Sequence, residues 1–540
     1  MEIRGVGGRF FIVVARKLIK YTLIWLTSQT ITKTMIQIQD LVYKKNYSSL
    51  VFILMAIGGI LVGNFLAKYP LTTVVFLGIL IVMVYFILHP RRISVYYLSF
   101  FIVYCIVSGN LTFPTLFFIG SIGIYPHDFF IAGILSLNLF YFIRVIFFNV
   151  KYKLNIESFF IIAFLGYLIF LFLMPLLQKS GLHEGAGNET RFIILYSTFF
   201  TASFFLRDQK DCLSLLWVCF LGVMLYCIIY LSMYFWPGNP LRAFLPDYGY
   251  ADYRLSYASK SIPTLFPFFL SAIFLQSKII NKKIVYLGFL LSLSYIFLSL
   301  SRATWLVLMF LVPLQIMFIK RKSIRFSFLK SLKKLFIIGF IISFLVHIPF
   351  LINNSYSVVL KDRFFSAIRV LNMNLDDILT SNDSTYSRWI SYQLIWENIK
   401  ESPIFGKGLG AFISRGQSFK FQHAFLNKVD STYLVYWFKG GVIWLAIFIA
   451  MILSIMKKSY SNMKNANNEV ELLLAVSIFF GLLNTVIIAG QDLILFYGLQ
   501  INSIAVLFAI VVQWDEIFKE NRKVTFVNTY LDGQSCQRYS

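Results

Sequence analysis

The stretch LSLSRATWLVLMF, residues 298–310, places one arginine, Arg302, inside an apolar run that extends from Lys283 to Lys320. As a single helix, residues 284–319 would be about 54 Å long, far more than the hydrocarbon core of about 30 Å. Both flanks are basic, so both are expected on the cytosolic side of a membrane. The run therefore predicts a helical hairpin with Arg302 at its tip. There the arginine meets water and avoids the cost of burial at the bilayer centre.

The composition of the whole chain is that of a polytopic membrane protein. Of its 540 residues, 58% are hydrophobic and 14% are charged, and phenylalanine alone occurs 59 times. Apolar runs of about 18 residues or more recur along the chain, and each is long enough to cross a bilayer as a helix. The runs are continuous rather than alternating, which argues against a transmembrane β-barrel. Most basic residues behind the net charge of +25 lie in short loops between these runs. This pattern indicates membrane orientation and attraction to anionic lipids, and we expect no nucleic-acid partner.

The apolar runs predict an all-α integral membrane protein with about 12 to 14 transmembrane helices, 14 being the preferred number. The expected spans are 50–67, 70–88, 95–112, 128–147, 157–177, 191–206, 212–236, 261–278, 284–300, 303–319, 335–351, 431–455, 470–489 and 492–513. Basic segments between spans fall on alternate sides and predict that both termini are cytosolic. The N-terminal stretch RFFIVVARKLIKYTLIWL predicts an interfacial cytosolic helix, with a first span there as the alternative.

This topology predicts five parts of the chain. They are a basic cytosolic N-terminal segment at 1–48, eleven transmembrane helices within 49–351, an external loop at 352–430, three further helices within 431–513 and a cytosolic tail at 514–540. An external loop of that length in a compact protein usually has a function. The five cysteines lack metal-ligand spacing, so we expect neither a metal site nor structural disulfides.

Four arginines are expected on the outer face: Arg191, Arg254, Arg302 and Arg388. The positive-inside rule disfavours arginine there, so their presence indicates binding of an anion. Each also has an ordinary alternative, in which the side chain reaches a lipid phosphate or caps the end of a helix.

The external loop contains a predicted amphipathic helix and a glycine-rich turn. The helix covers residues 385–401, with Trp389, Ile395, Trp396 and Ile399 as its apolar residues. In SPIFGKGLGAF, proline ends the helix and three glycines allow a tight turn, which is favoured over a phosphate cradle. Two candidate proton acceptors follow, His423 and Asp430. Asp430 also fits an ordinary N-cap of the next helix.

Three stretches resemble the bacterial O-antigen ligases and O-antigen or capsule polymerases. LSLSRATWL resembles the family's hairpin with Ser-Arg at its tip, and DYRLSYASKSIPTLFPFFLSAIFL resembles the segment in which an external arginine precedes a membrane helix. SRWISYQLIWENIKESPIFGKGLGAF, followed by DSTYLVYWFKGGVIWLAIF, is similar to the family's external loop. The resemblance extends over roughly residues 185–455 and lies in the order and sidedness of these motifs.

The resemblance implies a glycosyltransferase of the bacterial inner membrane with its active site on the periplasmic side. The donor would be a glycan on undecaprenyl diphosphate and the acceptor a glycan or lipid, with a chain-length regulator as a further candidate partner. No cofactor or metal is implied. Arg254 and Arg302 would bind the diphosphate bidentately, and Arg191 and Arg388 are the weaker candidates.

One position departs from the family pattern. Where the ligases have His-Asn-x-Tyr-Leu, this chain has DSTYL, residues 430–434. The family's histidine is usually assigned as the base, so Asp430 is the expected base here and His423 is the alternative. The departure favours a polymerase of lipid-linked repeat units over a ligase that transfers the glycan to lipid A–core. A flippase is disfavoured. Transporters carry charged or broken helices near the bilayer midplane, whereas the charges of this chain are expected to gather on one outer face, beside the long external loop.

Overall fold

A computed structural model describes residues 90–108, 117–119, 122–148, 155–177, 186–206, 208–235, 261–275, 281–298, 301–322, 333, 384–411, 431–490, 495–496 and 500–519. Apart from Pro90, these residues belong to one compact unit, Arg91–Ser540. The expected spans at 50–67, 70–88 and 335–351, the N-terminal segment 1–48 and most of the tail lie outside the described residues.

The described chain is built almost entirely of helices. In chain order they are α1 (Pro90–Ser108), α2 (Pro126–Phe148), α3 (Ile156–Leu177), α4 (Ala186–Ile194), α5 (Thr198–Phe205), α6 (Gln209–Phe235), α7 (Ser261–Leu275), α8 (Lys282–Leu298), α9 (Arg302–Lys322), α10 (Ser384–Glu401), α11 (Thr432–Lys464), α12 (Glu469–Ala489), α13 (Ile501–Val512) and α14 (Trp514–Ile517). Six of them are long and apolar enough to cross a membrane: α2, α3, α6, α9, α11 and α12. The protein is thus helical and multi-pass, while the total of 14 spans and the cytosolic termini stay predictions.

The predicted hairpin around Arg302 is present. Helix α8 ends at Leu298 and α9 begins at Arg302, as the length argument required. Ser301 precedes α9, and its hydroxyl lies 2.9 Å from the hydroxyl of Thr304. The Trp305 indole N–H donates to the carbonyl of Ile296 across the turn, over 3.0 Å. The hairpin is therefore closed by polar groups at its tip.

Two local expectations, both on the bounds of spans, were wrong. The span expected at 191–206 begins earlier, at Ala186. A 3-10 turn, Leu195–Ser197, also divides it into α4 and α5. The last span was expected to begin at 492, but a turn lies at residues 495–496 and α13 begins at Ile501. The all-helical class is confirmed, and the described chain adds one short antiparallel hairpin of β1 (Phe117–Ile119) and β2 (Ile122–Ile124). The two residues between these strands are Gly-Ser, a sequence typical of tight hairpins.

Helix α7 packs along α12 and α9, and polar side chains compensate for a proline in its interior. Pro267 has no backbone N–H, so the carbonyl of Pro263, one turn earlier, loses its usual helical donor. The side-chain amide of Asn484, on α12, donates to that carbonyl over 2.6 Å. Gln315, on α9, donates to the carbonyl of Pro267 over 2.6 Å and to Ser271 over 2.7 Å. These bonds hold three membrane helices in register.

An aromatic cluster joins α3, the 3-10 turn and α11. The ring of Phe164 stacks on Trp444 at 5.4 Å, and Tyr436 meets Trp444 edge-on at 4.7 Å. The hydroxyls of Tyr196 and Tyr436 both donate to the carbonyl of Leu495 over 2.7 Å. Large buried aromatic rings in such contacts form a rigid base. Trp444 of this cluster lies three residues after an interruption in α11.

Candidate active site

Helix α11 is broken at Gly441, in the sequence WFKGGVIW. Gly441 has φ 70° and ψ −176°, which is not a helical conformation. A residue with a side chain rarely adopts this φ, whereas glycine does so at little cost. In addition, a Cβ at Gly441 would lie 1.9 Å from the carbonyl oxygen of Ile404. The break divides the helix into a short first part and a long second part.

The glycine turn, residues 402–411, supplies the hydrogen bonds that the broken helix loses. The amides of Lys407 and Gly408 donate to the carbonyls of Phe438 and Lys439, over 2.8 and 2.9 Å. Three further bonds complete the joint: the Val442 amide to the Pro403 carbonyl at 2.9 Å, the Trp437 indole to the same carbonyl at 3.1 Å and the Tyr167 hydroxyl to the Gly440 carbonyl at 3.0 Å. Backbone groups inside a membrane protein must be satisfied by protein in this way.

The glycine spacing in GKGLG thus serves a backbone joint. Gly406, Gly408 and Gly410 all have positive φ, between 73° and 85°. The amide of Gly406 donates to Ser402, and those of Lys407 and Gly408 donate to α11. The amide of Gly410 donates to a carboxylate of α4. Because these donors are engaged within the protein, the segment is a plain turn and not a phosphate cradle. The glycine spacing had favoured the plain turn.

Helix α10 precedes this turn where the amphipathic pattern predicted a helix. Ile395 and Ile399 are buried, as expected for its apolar residues. Trp396 is 45% exposed instead, and its ring meets Trp437 of α11 edge-on at 5.3 Å. Helix α10 ends at Glu401, just before Pro403, as predicted.

A buried ion pair joins α4, α11 and the glycine turn. The Lys439 ammonium lies 2.8 Å from Oε1 of Glu189, with side-chain exposures of 6% and 13%. The other carboxylate oxygen of Glu189 accepts from the Gly410 amide over 2.7 Å. The ammonium also donates to the Ala411 carbonyl and lies 5.3 Å from the centroid of the Phe438 ring. One carboxylate and one ammonium thereby hold three segments that are distant in sequence.

A second ion pair lies on the same short helix. The Nε of Arg191 is 3.0 Å from Oδ1 of Asp128, in the first turn of α2. Asp128 also accepts from the Tyr125 amide at 2.8 Å, and the Arg191 guanidinium lies 5.3 Å from the Tyr125 ring centroid. The His127 ring stacks on Tyr125 at 5.2 Å. Arg191, one of the predicted diphosphate ligands, therefore has a carboxylate partner of its own.

The remaining predicted site residues are placed only by their backbone or lie outside the described residues. Arg302 is the first residue of α9, and Arg388 lies in the second turn of α10. Arg254, His423 and Asp430 lie outside the described residues. Their expected roles stay predictions.

Sequence reasoning missed Glu189, Lys439 and the break at Gly441. A signal for Lys439 was present, because it is a lone charge in an apolar run and two glycines follow it. Like Arg302, Lys439 is a charge that would be costly within a continuous membrane helix. Glu189 gave no such signal, because it lies in the polar stretch HEGAGNETR, where a carboxylate is unremarkable.

Part of this site lies in a stretch that matches a known protein family. A family model described as O-antigen ligase matches residues 287–449. The matched stretch runs from α8 through the Arg302 hairpin, α10 and the glycine turn to the region of α11 just beyond its break. The match confirms the resemblance over residues 287–449, while the stretch that contains Arg254 lies outside it. A comparison with curated proteins gives no match.

Proposed function

We propose that this protein, whose residues 287–449 match the O-antigen ligase family, polymerises lipid-linked sugar repeats. Its donor would be an oligosaccharide repeat unit on undecaprenyl diphosphate, and its product O-antigen or another surface polysaccharide. The family match supports a membrane glycosyltransferase, and the aspartate of DSTYL, where ligases have histidine, favours the polymerase. The matched stretch also contains the two features that the geometry makes distinctive, the hairpin with Arg302 at its tip and the glycine turn seated on a broken helix.

In the proposed reaction, an acceptor hydroxyl attacks the anomeric carbon of the donor sugar. The bond between this carbon and the phosphate oxygen breaks, undecaprenyl diphosphate leaves, and the hydroxyl proton passes to the base. We assign Asp430 as the base and keep His423 as the alternative. Guanidinium groups would bind the diphosphate oxygens and stabilise the negative charge that grows as the bond breaks. The diphosphate is already a competent leaving group, so the proposed mechanism involves no metal.

Among the four arginines, Arg254 and Arg302 are our preferred diphosphate ligands. Arg302 begins a helix at a hairpin tip that the charge pattern places at the outer boundary. The charge of Arg191 is largely offset by Asp128, 3.0 Å away, so this residue contributes less to the attraction of an anion. Arg388 stays a secondary candidate. What supports it is its place on α10, which the glycine turn links to α11.

A ligase is the second candidate, favoured by the description of the matching family. It would move the finished glycan from the same lipid carrier to lipid A–core or another acceptor. The aspartate in DSTYL, where ligases have histidine, favours the polymerase. Both reactions would share the lipid carrier, the leaving group and the location, on the periplasmic side of the inner membrane.

Gel analysis of surface glycans from a strain that lacks the gene tests the proposal. A polymerase deletion should leave a single repeat unit on the lipid acceptor and no long chains. Accumulation of full-length polymer on undecaprenyl diphosphate would instead identify a ligase. A donor trapped on the cytosolic face would contradict both and point to a flippase.

A further inference from the structure

We propose that Glu189 and Lys439 are a positioning pair that sets where the glycine turn and α10 lie against the membrane helices. The inference rests on the proposed transferase function, but the reaction described above does not use either residue. The pair would act on the reaction through the backbone that it holds, without contact with the reacting atoms.

The polar groups of the pair are directed into the protein. Both carboxylate oxygens of Glu189 are occupied, one by the ammonium at 2.8 Å and one by the Gly410 amide at 2.7 Å. The ammonium has a second acceptor in the carbonyl of Ala411. Gly410 and Ala411 are the last two described residues of the turn. The pair therefore attaches this end of the turn to α4 and α11 simultaneously.

The other end of the turn is attached by uncharged hydrogen bonds. The Val442 amide and the Trp437 indole both donate to the Pro403 carbonyl, and the turn amides reach the carbonyls before the break. These bonds connect the turn to α11 alone. Only Glu189 links the turn to α4, which is itself joined to α2 through Arg191 and Asp128, within the described part of the chain.

A buried ion pair is a poor source of stability, and in some proteins such a group fixes geometry instead. Replacing both partners by uncharged side chains of similar size often leaves stability unchanged or improves it, whereas removing one partner leaves a costly buried charge. Bonds from charged groups to backbone amides and carbonyls are short and directional. The pair therefore fits a role in placing backbone atoms better than a role in overall stability.

Placement of α10 matters for the proposed reaction. The helix carries Arg388 and continues directly into the turn. A displacement of about 1 Å in a reacting group can lower the rate by about 100-fold. We assign the donor diphosphate chiefly to Arg254 and Arg302, which lie on other segments. Loss of the pair should therefore lower kcat while the KM for the lipid-linked donor stays near its wild-type value.

The test compares Glu189→Gln, Lys439→Met and the double variant, purified and reconstituted in lipid nanodiscs. Each single variant should unfold at a lower temperature than wild type, because one buried charge remains. The double variant should regain the wild-type Tm, yet its kcat should stay about 10-fold to 100-fold low with the donor KM unchanged. If the pair had only a structural role, both kcat and Tm of the double variant would return to their wild-type values.

A second measurement does not depend on activity. Spin labels at Lys400→Cys on α10 and Lys457→Cys on α11, both exposed sites, report the distance between these helices by pulsed EPR. The distance distribution should be narrow in wild type and broad in the double variant. The matched control is a double variant that removes both charges of the surface pair Lys458 and Asp515, which lie 2.7 Å apart. It should change neither kcat nor the distance distribution.

Wild-type kcat in the double variant would overturn the proposal. An unchanged distance distribution, or a loss of rate that lies entirely in a higher donor KM, would overturn it as well. If wild-type protein transfers no glycan from the lipid-linked donor, the proposed function fails. The distance measurement then decides on its own whether the pair positions α10.

Discussion

At the scale of single residues, the lone charges and glycines of the apolar runs mark the places where the membrane helices turn or break. Arg302 begins a helix after a hairpin turn, and Lys439 lies two residues before a break, with Glu189 as its partner. A charge within a lipid-facing helix is costly unless it reaches the membrane boundary, as predicted for Arg302, or meets a partner, as Lys439 meets Glu189.

Arg302→Ala should lower polymer synthesis by about 100-fold or more, because a group that stabilises the leaving diphosphate is lost. The readout is the chain-length ladder of surface glycan, with membrane abundance of the protein measured in parallel. Arg321→Ala is the matched control, since Arg321 lies near the opposite end of the same helix and is exposed. A normal ladder in Arg302→Ala would remove this arginine from the mechanism.

Gly441→Ala should destabilise the protein by more than about 1–3 kcal/mol, because a non-glycine residue at this φ is strained and its Cβ would overlap the Ile404 carbonyl. The Tm of the purified protein in detergent measures the effect. Gly166→Ala on α3 provides the control, because a Cβ there meets nothing within 4 Å. This control should be neutral or stabilising by up to about 1 kcal/mol. Equal Tm values for the two variants would contradict our account of the break.

At the scale of the elements, side chains from neighbouring helices replace the backbone hydrogen bonds that proline and glycine remove. In α7 the replacement comes from Asn484, and in α11 it comes from the glycine turn. An irregular helix in a membrane protein is therefore stable only together with its partner.

Asn484→Leu should cost about 1–3 kcal/mol, because the Pro263 carbonyl is left buried without a donor. Adding Pro267→Ala should recover part of this loss, since the alanine N–H can donate to that carbonyl within the helix. Tm measurements on both single variants and the double variant show whether the effects on stability at Asn484 and Pro267 depend on each other. Ser477→Ala on the same helix, which removes only a bond to its own helix, is the control. Additive effects of the two changes would count against the proline argument.

At the scale of the whole molecule, the sequence predicted most helices but few of the contacts between them. Continuous hydropathy located α2, α3 and α6–α9 within a few residues, and length with charge predicted the hairpin at Arg302. Glu189 pairs with Lys439, and the glycine turn bonds to the break in α11. Both contacts join segments that lie far apart in sequence. Periodicity and hydropathy carry no information about which distant segments meet, so these features required the structure.

The predicted orientation can be tested by labelling single cysteines in intact cells. In a Cys536→Ser background, Lys400→Cys should react with a membrane-impermeant maleimide from outside, because α10 belongs to the predicted external loop. Asn467→Cys, exposed between α11 and α12, should react only after the membrane is permeabilised. Reversed reactivity would invert the topology and move the proposed active site to the cytosolic side.

The dependence of α11 on the glycine turn has a consequence for how the protein is made. The amides that donate to the broken helix, those of Lys407 and Gly408, are synthesised before the carbonyls that they satisfy, those of Phe438 and Lys439. Under the predicted topology, the external loop has crossed the membrane before α11 enters it. We therefore expect α11 to complete its backbone hydrogen bonding only against a segment that has already been exported, which couples the folding of this helix to translocation.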